Sequence, residues 1–249
     1  GSEMCIRDRP TVARTLSKNG ISYVEAGSID QPICDRRGDL ICADWGYAYL
    51  ASTNGSGKSV SLGDYYGMKE SFVKNGTLAT TKTKWTTRKE EDNPAMAYVH
   101  NLGSVSNSGK EGFMMLGYDD IYSIEYMYEK RMGYWKHDGK VTIFDAFEKL
   151  RDNYQAIMER CRAFDELIYD DAEKAGGKKY AEICSASYRQ VISAHKLFTD
   201  KEGNLLWFSK ENNSNGCVNT VDLTYPSAPL FLVYNPELQK AMMTSIFEY

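Results

Sequence analysis

Carboxylate and amide side chains gather in two stretches of this 249-residue sequence. Asp119, Asp120 and Glu125 follow a short apolar run, and Glu211, Asn212, Asn215 and Asp222 fall in a polar stretch between Ser209 and Pro229. Two carboxyl groups held in different environments divide into a general acid and a general base. Amide and hydroxyl groups beside them stabilise the charge that develops on the attacked group. This is equipment for hydrolysing an amide or a glycoside. Glu211, Asp222, Asp119 and Asp120 are the candidate catalytic groups. Asn212, Asn215, Tyr225, Tyr118, Arg189 and His195 are the candidates for holding a substrate.

Each candidate has a plainer use. Asp119 and Asp120 can cap a helix that follows them. Glu211 and Asp222 can organise their own loop by accepting from backbone N–H groups. Arg189 and His195 stand two turns apart on what reads as one helix, where a buried carboxylate partner competes with a role in chemistry. His100 and His137 are isolated. Ser209 and Ser227 lack the G-x-S-x-G setting of a serine nucleophile. Cys217, beside Gly216, is a thiol with no histidine near it in sequence. The six cysteines show no CxxC and no Cys/His spacing, so neither a zinc site nor a cofactor is expected. Cys161 and Cys184 read as small core residues, and Cys34 and Cys42 could face each other across a short hairpin.

The elements that must position these groups fall into two regions. Residues 11–117 read as β-rich, with a strand-like run ending in Tyr47–Leu50, an alternating strand over Ala95–Leu102 and a short strand over Phe113–Leu116, separated by glycine turns. Residues 118–249 read as mostly helical. Apolar positions from Phe144 to Ile168 step by three and four, predicting one long amphipathic helix from Thr142 to Gly176 and Gly177. A second helix over 179–197 follows, so the two glycines join a helical hairpin. Leu205 to Phe208 reads as a strand and Ser209 to Pro229 as a long polar loop, a kind of segment that is often functional. Asn235, Pro236 and Glu237 form a helix start. The fold class expected is α+β and multidomain: the C-terminal part of a β-sandwich, then the first helical hairpins of a toroid. Residues 1–10 read as an artefactual tail, and the chain reads as a piece of a longer protein.

Composition narrows the function. A net charge of -4 argues against a nucleic-acid partner, and no apolar run reaches the roughly 20 residues of a membrane span. Tyrosine, at 18 against 9 phenylalanines, is the one excess, and it suits half-buried positions and polar ligands.

Several blocks resemble a known family. They are Gly38–Leu40 with Asp44–Ala51, then Gly117–Tyr126, Ala175–Tyr180, Tyr188–Gln190 and Ala194–Leu197. The most specific is the run Phe208–Cys217 continued through Thr220–Phe231. Together they resemble the glutaminase A family, secreted or surface proteins of fungi and bacteria, with many in Bacteroides-type gut bacteria. The resemblance covers most of 35–249. It implies a β-sandwich joined to an (α/α)6 toroid of the six-hairpin glycosidase type, whose inter-hairpin loops line a central cavity. It implies hydrolysis of the glutamine side-chain amide to glutamate and ammonia. A glycoside hydrolase acting on a glycan and a non-catalytic glycan-binding surface module are the alternatives. The implied location is secreted, periplasmic or cell-surface. The implied partners are a small-molecule or glycan substrate and the remaining hairpins of the same polypeptide.

Overall fold

The computed structural model describes residues 11–35, 45–78, 82–87, 93–210 and 217–248. The chain divides into two compact units: Gly1–Asp35, Asp44–Ile121 and Thr142–Arg151 form the first, and Arg36–Ala43, Tyr122–Val141 and Asp152–Tyr249 the second.

The first unit is built on an antiparallel sheet in the order β5-β1-β2-β3-β7, from β1 (Thr11–Lys18), β2 (Ile21–Ser28), β3 (Tyr47–Thr53), β5 (Lys84–Thr87) and β7 (Met115–Asp119). A second antiparallel pair, β4 (Lys58–Asp64) with β6 (Pro94–His100), covers one face. There Ala13, Val24 and Leu62 form a buried cluster against Val60, Trp85 and Met96. On the opposite face Tyr23 and Tyr49 meet Phe144 and Phe147 of helix α2 (Ile143–Asp152), with ring centroids 5.1–6.3 Å apart. Strand β2 thus buries both of its faces, which alternate by the strand period of two. Gly117 makes room for α2: a Cβ there would lie 2.6 Å from the Phe147 ring. Thr142 caps α2: its Oγ1 accepts from Asp145 N at 3.3 Å and donates to the Asp145 carboxylate at 2.7 Å.

A row of polar side chains runs across the α2 face of this sheet. Arg14, Glu25 and Tyr49 are successive cross-strand partners. The Arg14 guanidinium donates to Glu25 at 2.6 Å and the Tyr49 hydroxyl donates at 2.7 Å. Burial, then the bond to Glu25, pushes the Tyr49 phenol far above its ordinary range. Tyr23, two residues before Glu25, has a buried hydroxyl with no hydrogen-bond partner among the described residues, and burial pushes its pKa up to about 12.

One helix lies where the sequence suggested only strands and turns. Helix α1 (Tyr65–Asn75) begins at Asp64, whose side chain accepts from Gly67 N at 2.8 Å, and ends at Gly76 in the left-handed region. It buries only Met68, so it lacks the apolar stripe by which helices are recognised.

In the second unit β8 (Ile124–Tyr126) and β9 (Glu129–Arg131) form a short antiparallel hairpin. Its two turn residues, Met127 and Tyr128, both have positive φ, the tight geometry that matches strand twist. No helix follows Asp119 and Asp120, so the helix-capping role suggested for them does not exist. The predicted long helix is two helices. It breaks at Asn153, where φ is -112° and ψ 13°, between α2 and α3 (Tyr154–Gly176). The apolar spacing runs through this break because α2 and α3 each need an apolar face, one in each unit. Gly177, at φ 80°, then joins α3 to α4 (Lys178–Ser193), the helical hairpin the two glycines predict. Phe164, Tyr188 and Tyr234 pack edge to face between α3, α4 and α5. Cys161 is exposed on α3 and Cys184 half-buried on α4, so neither is the core residue expected. Cys42 lies outside the described residues.

After α4 the chain turns into β10 (His195–Thr199) and β11 (Leu205–Ser209), an antiparallel hairpin buried on both faces. One face packs Phe198, Leu206 and Phe208 on Ile124. The other packs Trp207 on Phe231, Ala241 and Met242. The last two belong to α6 (Pro236–Glu248), and Phe231 to α5 (Val221–Tyr234). Asn235 accepts from Leu238 N at 3.3 Å, as the predicted helix start requires.

The same Tyr→Phe change should act with opposite signs at two sites of one sheet face. Tyr49→Phe removes a bond to a charged acceptor and should cost about 1.5–3 kcal/mol. Tyr23→Phe removes a buried hydroxyl with no partner among the described residues and should leave stability unchanged or raise it by about 1 kcal/mol. Urea unfolding midpoints of the two variants check both signs.

Candidate functional site

The candidate residues occupy both units. Tyr118, Asp119 and Asp120 close strand β7 in the first. The Tyr118 hydroxyl donates to the Trp45 carbonyl, Asp119 Oδ1 accepts from Ile121 N at 2.8 Å, and Asp120 is only 3% exposed. Gly46 permits this junction: at φ +97°, a Cβ would lie 2.5 Å from the Asp119 carbonyl oxygen. Gln31 braces the same turn by accepting from Gly46 N at 2.5 Å. Asp119 thus stabilises a turn through its own side chain.

In the second unit residues 221–229 of the region read as a polar loop are helix. Glu211, Asn212 and Asn215 lie outside the described residues. Helix α5 begins at Val221 and contains Pro226 and Pro229. Each proline lacks the N–H that would bond four residues back, to the carbonyls of Asp222 and Tyr225. The Ser227 hydroxyl donates to two other carbonyls of this turn, Leu223 O at 2.8 Å and Thr224 O at 3.1 Å. The two prolines and the lack of an apolar stripe hid this helix from sequence reasoning. Asp222 stands in its first turn, where an acid suits the helix N-terminus. Tyr225, one turn on along the same face, is 81% exposed. Asp222 and Tyr225 are therefore the two candidates that the structure brings together with open faces.

Arg189 and His195 do not share a helix. Arg189, exposed on α4, donates to Asp165 of α3, the carboxylate partner its plainer reading called for. His195 opens β10. Its Nδ1 lies 2.6 Å from the Val191 carbonyl, its ring stacks on Trp207 at 5.1 Å, and Phe231 meets it edge-on at 5.6 Å. The carbonyl fixes Nδ1 as the protonated nitrogen, and burial pushes the imidazole pKa below its ordinary value. Among the described residues its neighbours are aromatic rings and a backbone carbonyl, not a carboxylate.

Sequence reasoning missed the residue that ties this region together. Asn219 Nδ2 donates to Met242 O at 3.0 Å and to Ser245 Oγ at 2.7 Å, while Thr224 Oγ1 donates to Asn219 Oδ1 at 3.2 Å. Its own N–H reaches Ser209 O at 2.9 Å. One residue thus joins the end of β11 through its backbone and the start of α5 and the last turns of α6 through its side chain. Its φ of 50° is a left-handed value that asparagine tolerates better than most residues. A lone Asn before Thr-x-Asp was the only signal. The bridge between Lys210 and Val218 closes the segment between them, and Lys210 Nζ donates to Ser123 O at 2.9 Å. Among the described residues no group of His, Cys, Asp or Glu could hold a metal ion, and no helix is long and apolar enough to cross a membrane.

A sheet-rich region followed by helical hairpins defines a class of two-part β-plus-helical-hairpin proteins. Two family descriptions match in that order: a domain of unknown function, DUF5127, over residues 2–171, and the glutaminase A six helical-hairpin domain over 177–249. The chain belongs to the glutaminase A family. It is 32% identical to glutaminase A of Aspergillus oryzae over 211 residues, which is 83% of this chain and 30% of that protein. It is 34% identical to a probable glutaminase of Arthroderma benhamiae over 79 residues, 32% of this chain and 9% of that one. The chain thus spans less than a third of either relative's length. No solved structure matches it.

Two predictions follow from this region. Asn219→Ala removes three side-chain bonds and places alanine at positive φ. It should destabilise the second unit by about 2–4 kcal/mol, with Asn219→Gly recovering the backbone part only, as read from denaturant midpoints. His195 titrates near 6.5 when unfolded and lower when folded. Between those values the unfolded state binds more protons, so stability present above pH ~6.5 falls as the pH drops below it. Midpoints measured from pH 7 to 5 should fall less in His195→Gln than in the parent chain.

Proposed function

We propose that the protein of which this chain is part hydrolyses the side-chain amide of glutamine to glutamate and ammonia. The observation that supports this most is the 32% identity to Aspergillus oryzae glutaminase A across 83% of the chain. In the reaction, water adds to the carboxamide carbon as a base takes its proton. The tetrahedral intermediate then expels ammonia once an acid protonates the nitrogen. Asp222 stands exposed in the first turn of α5, one turn before the exposed Tyr225. Glu211 directly follows Lys210 and is the second carboxylate proposed for this chemistry. Asn212, Asn215 and Tyr225 are proposed to hold the substrate. The family resemblance also supports a secreted, periplasmic or cell-surface location.

The test is ammonia release from glutamine by the full-length protein. Activity is expected in the parent protein and a loss of at least about 100-fold in kcat in Glu211→Gln and Asp222→Asn. Loss in neither variant would remove both residues from the mechanism. No ammonia release, with reducing sugar liberated from a glycan panel, would replace the reading with glycoside hydrolysis.

A further inference from the structure

Buried polar atoms without partners are rare in folded proteins, a few per hundred residues. In the second unit three of them share one face of the β10–β11 hairpin. His195 and Ser209 are cross-strand partners, so their side chains leave the hairpin on the same side. Trp207, two residues before Ser209, projects from that side too and stacks on the His195 ring at 5.1 Å. His195 Nε2, Trp207 Nε1 and Ser209 Oγ are all shut off from solvent, and none has a hydrogen-bond partner among the described residues. Ser209 is 2% exposed and Trp207 7%.

The chemistry of the three atoms specifies a guest. The carbonyl of Val191 occupies His195 Nδ1, so Nε2 carries a lone pair and accepts. The indole N–H can only donate, and the serine hydroxyl does either. Phe231, Leu197 and Met242 close the surroundings with apolar side chains, and among the described residues of this cluster a charged guest would find no counter-charge. A group that accepts from an indole, donates to an imidazole and exchanges a bond with a hydroxyl is a single neutral molecule with two donors and two acceptors. We propose that His195, Trp207 and Ser209 hold one internal water molecule on the α5–α6 side of the hairpin. That water supplies the bonds that the apolar neighbours cannot. It keeps the imidazole neutral and in one tautomer. It also anchors Ser209, the residue from which the candidate loop departs. Ser209 is too deeply buried to serve as a nucleophile, which leaves its hydroxyl this structural use.

The 249-residue chain labelled with nitrogen-15 provides the test, with Trp207→Phe assigning the indole signal among the 4 tryptophans. The expected result is a cross-relaxation peak between the Trp207 indole proton and a long-lived water. Ser209→Ala and His195→Phe should each weaken that peak and speed indole hydrogen exchange several-fold. A parent protein with no such peak overturns the proposal, whether or not the variants fold. So does a high-resolution crystal structure in which Trp207 Nε1 donates directly to Gln239 Oε1, the buried acceptor on α6. A peak that survives both substitutions unchanged overturns it as well, because the water would then be held elsewhere.

Discussion

Each unit of this protein is organised by one strand that is buried on both faces. In the first it is β2, where Tyr23 lies under helix α2 and Val24 under the β4–β6 pair. In the second it is β11, where Trp207 faces α5 and α6 while Phe208 faces Ile124. A strand of this kind cannot lie at a surface, because either exposure leaves large apolar area in water. It compels a layer on each side. The neighbouring elements, otherwise weak in propensity, are held in place by that demand. Helix α5 carries two prolines and would not persist alone. It is retained by Phe231 in the Trp207 cluster and by Thr224 on Asn219.

The same constraint explains why polar groups stand where they do. A two-sided core leaves few places for hydrogen-bonding side chains except strand ends and the row beneath α2. Glu25 is tolerated inside because Arg14 and Tyr49 meet it in register from the two adjacent strands. The junctions at Trp45–Gly46 with Tyr118–Asp119, and at Ser209–Lys210 with Val218–Asn219, close where strands end and backbone bonds run out. Asn219 satisfies backbone and side-chain groups of three elements at once, so the position of Asp222 depends on a residue with no chemistry of its own.

Much of this was legible beforehand, for identifiable reasons. Strand alternation placed β6, the Gly176–Gly177 pair located the helical hairpin, and Asn235-Pro236 marked the start of α6. The blocks around Trp45, Tyr118 and Phe208 pointed to the family that the comparisons then established. What failed did so through competing physics. Helix α1 was missed because it buries a single residue. Helix α5 was missed because its prolines imitate a loop. The break at Asn153 was missed because periodicity reports an apolar face without saying which core receives it. Of the candidate site, Asp222 and Tyr225 were legible as separate polar candidates, and their shared face one turn apart on α5 was not. The carboxylate partner of Arg189 and the aromatic surroundings of His195 were not, since both come from segments distant in sequence.

The sequence by itself determined the family, the order of a sheet-rich part before helical hairpins, and the chemical types available for a hydrolytic site. Those follow from composition, local periodicity and specific runs of residues, all of which are properties of neighbours along the chain. Only the tertiary structure decided that Asp119 stabilises a turn, that His195 is a neutral ring stacked on Trp207, and that Asn219 joins β11 to α5 and α6. Those outcomes depend on which apolar faces meet, and burial on two sides of one strand sets that across separations that no local pattern records.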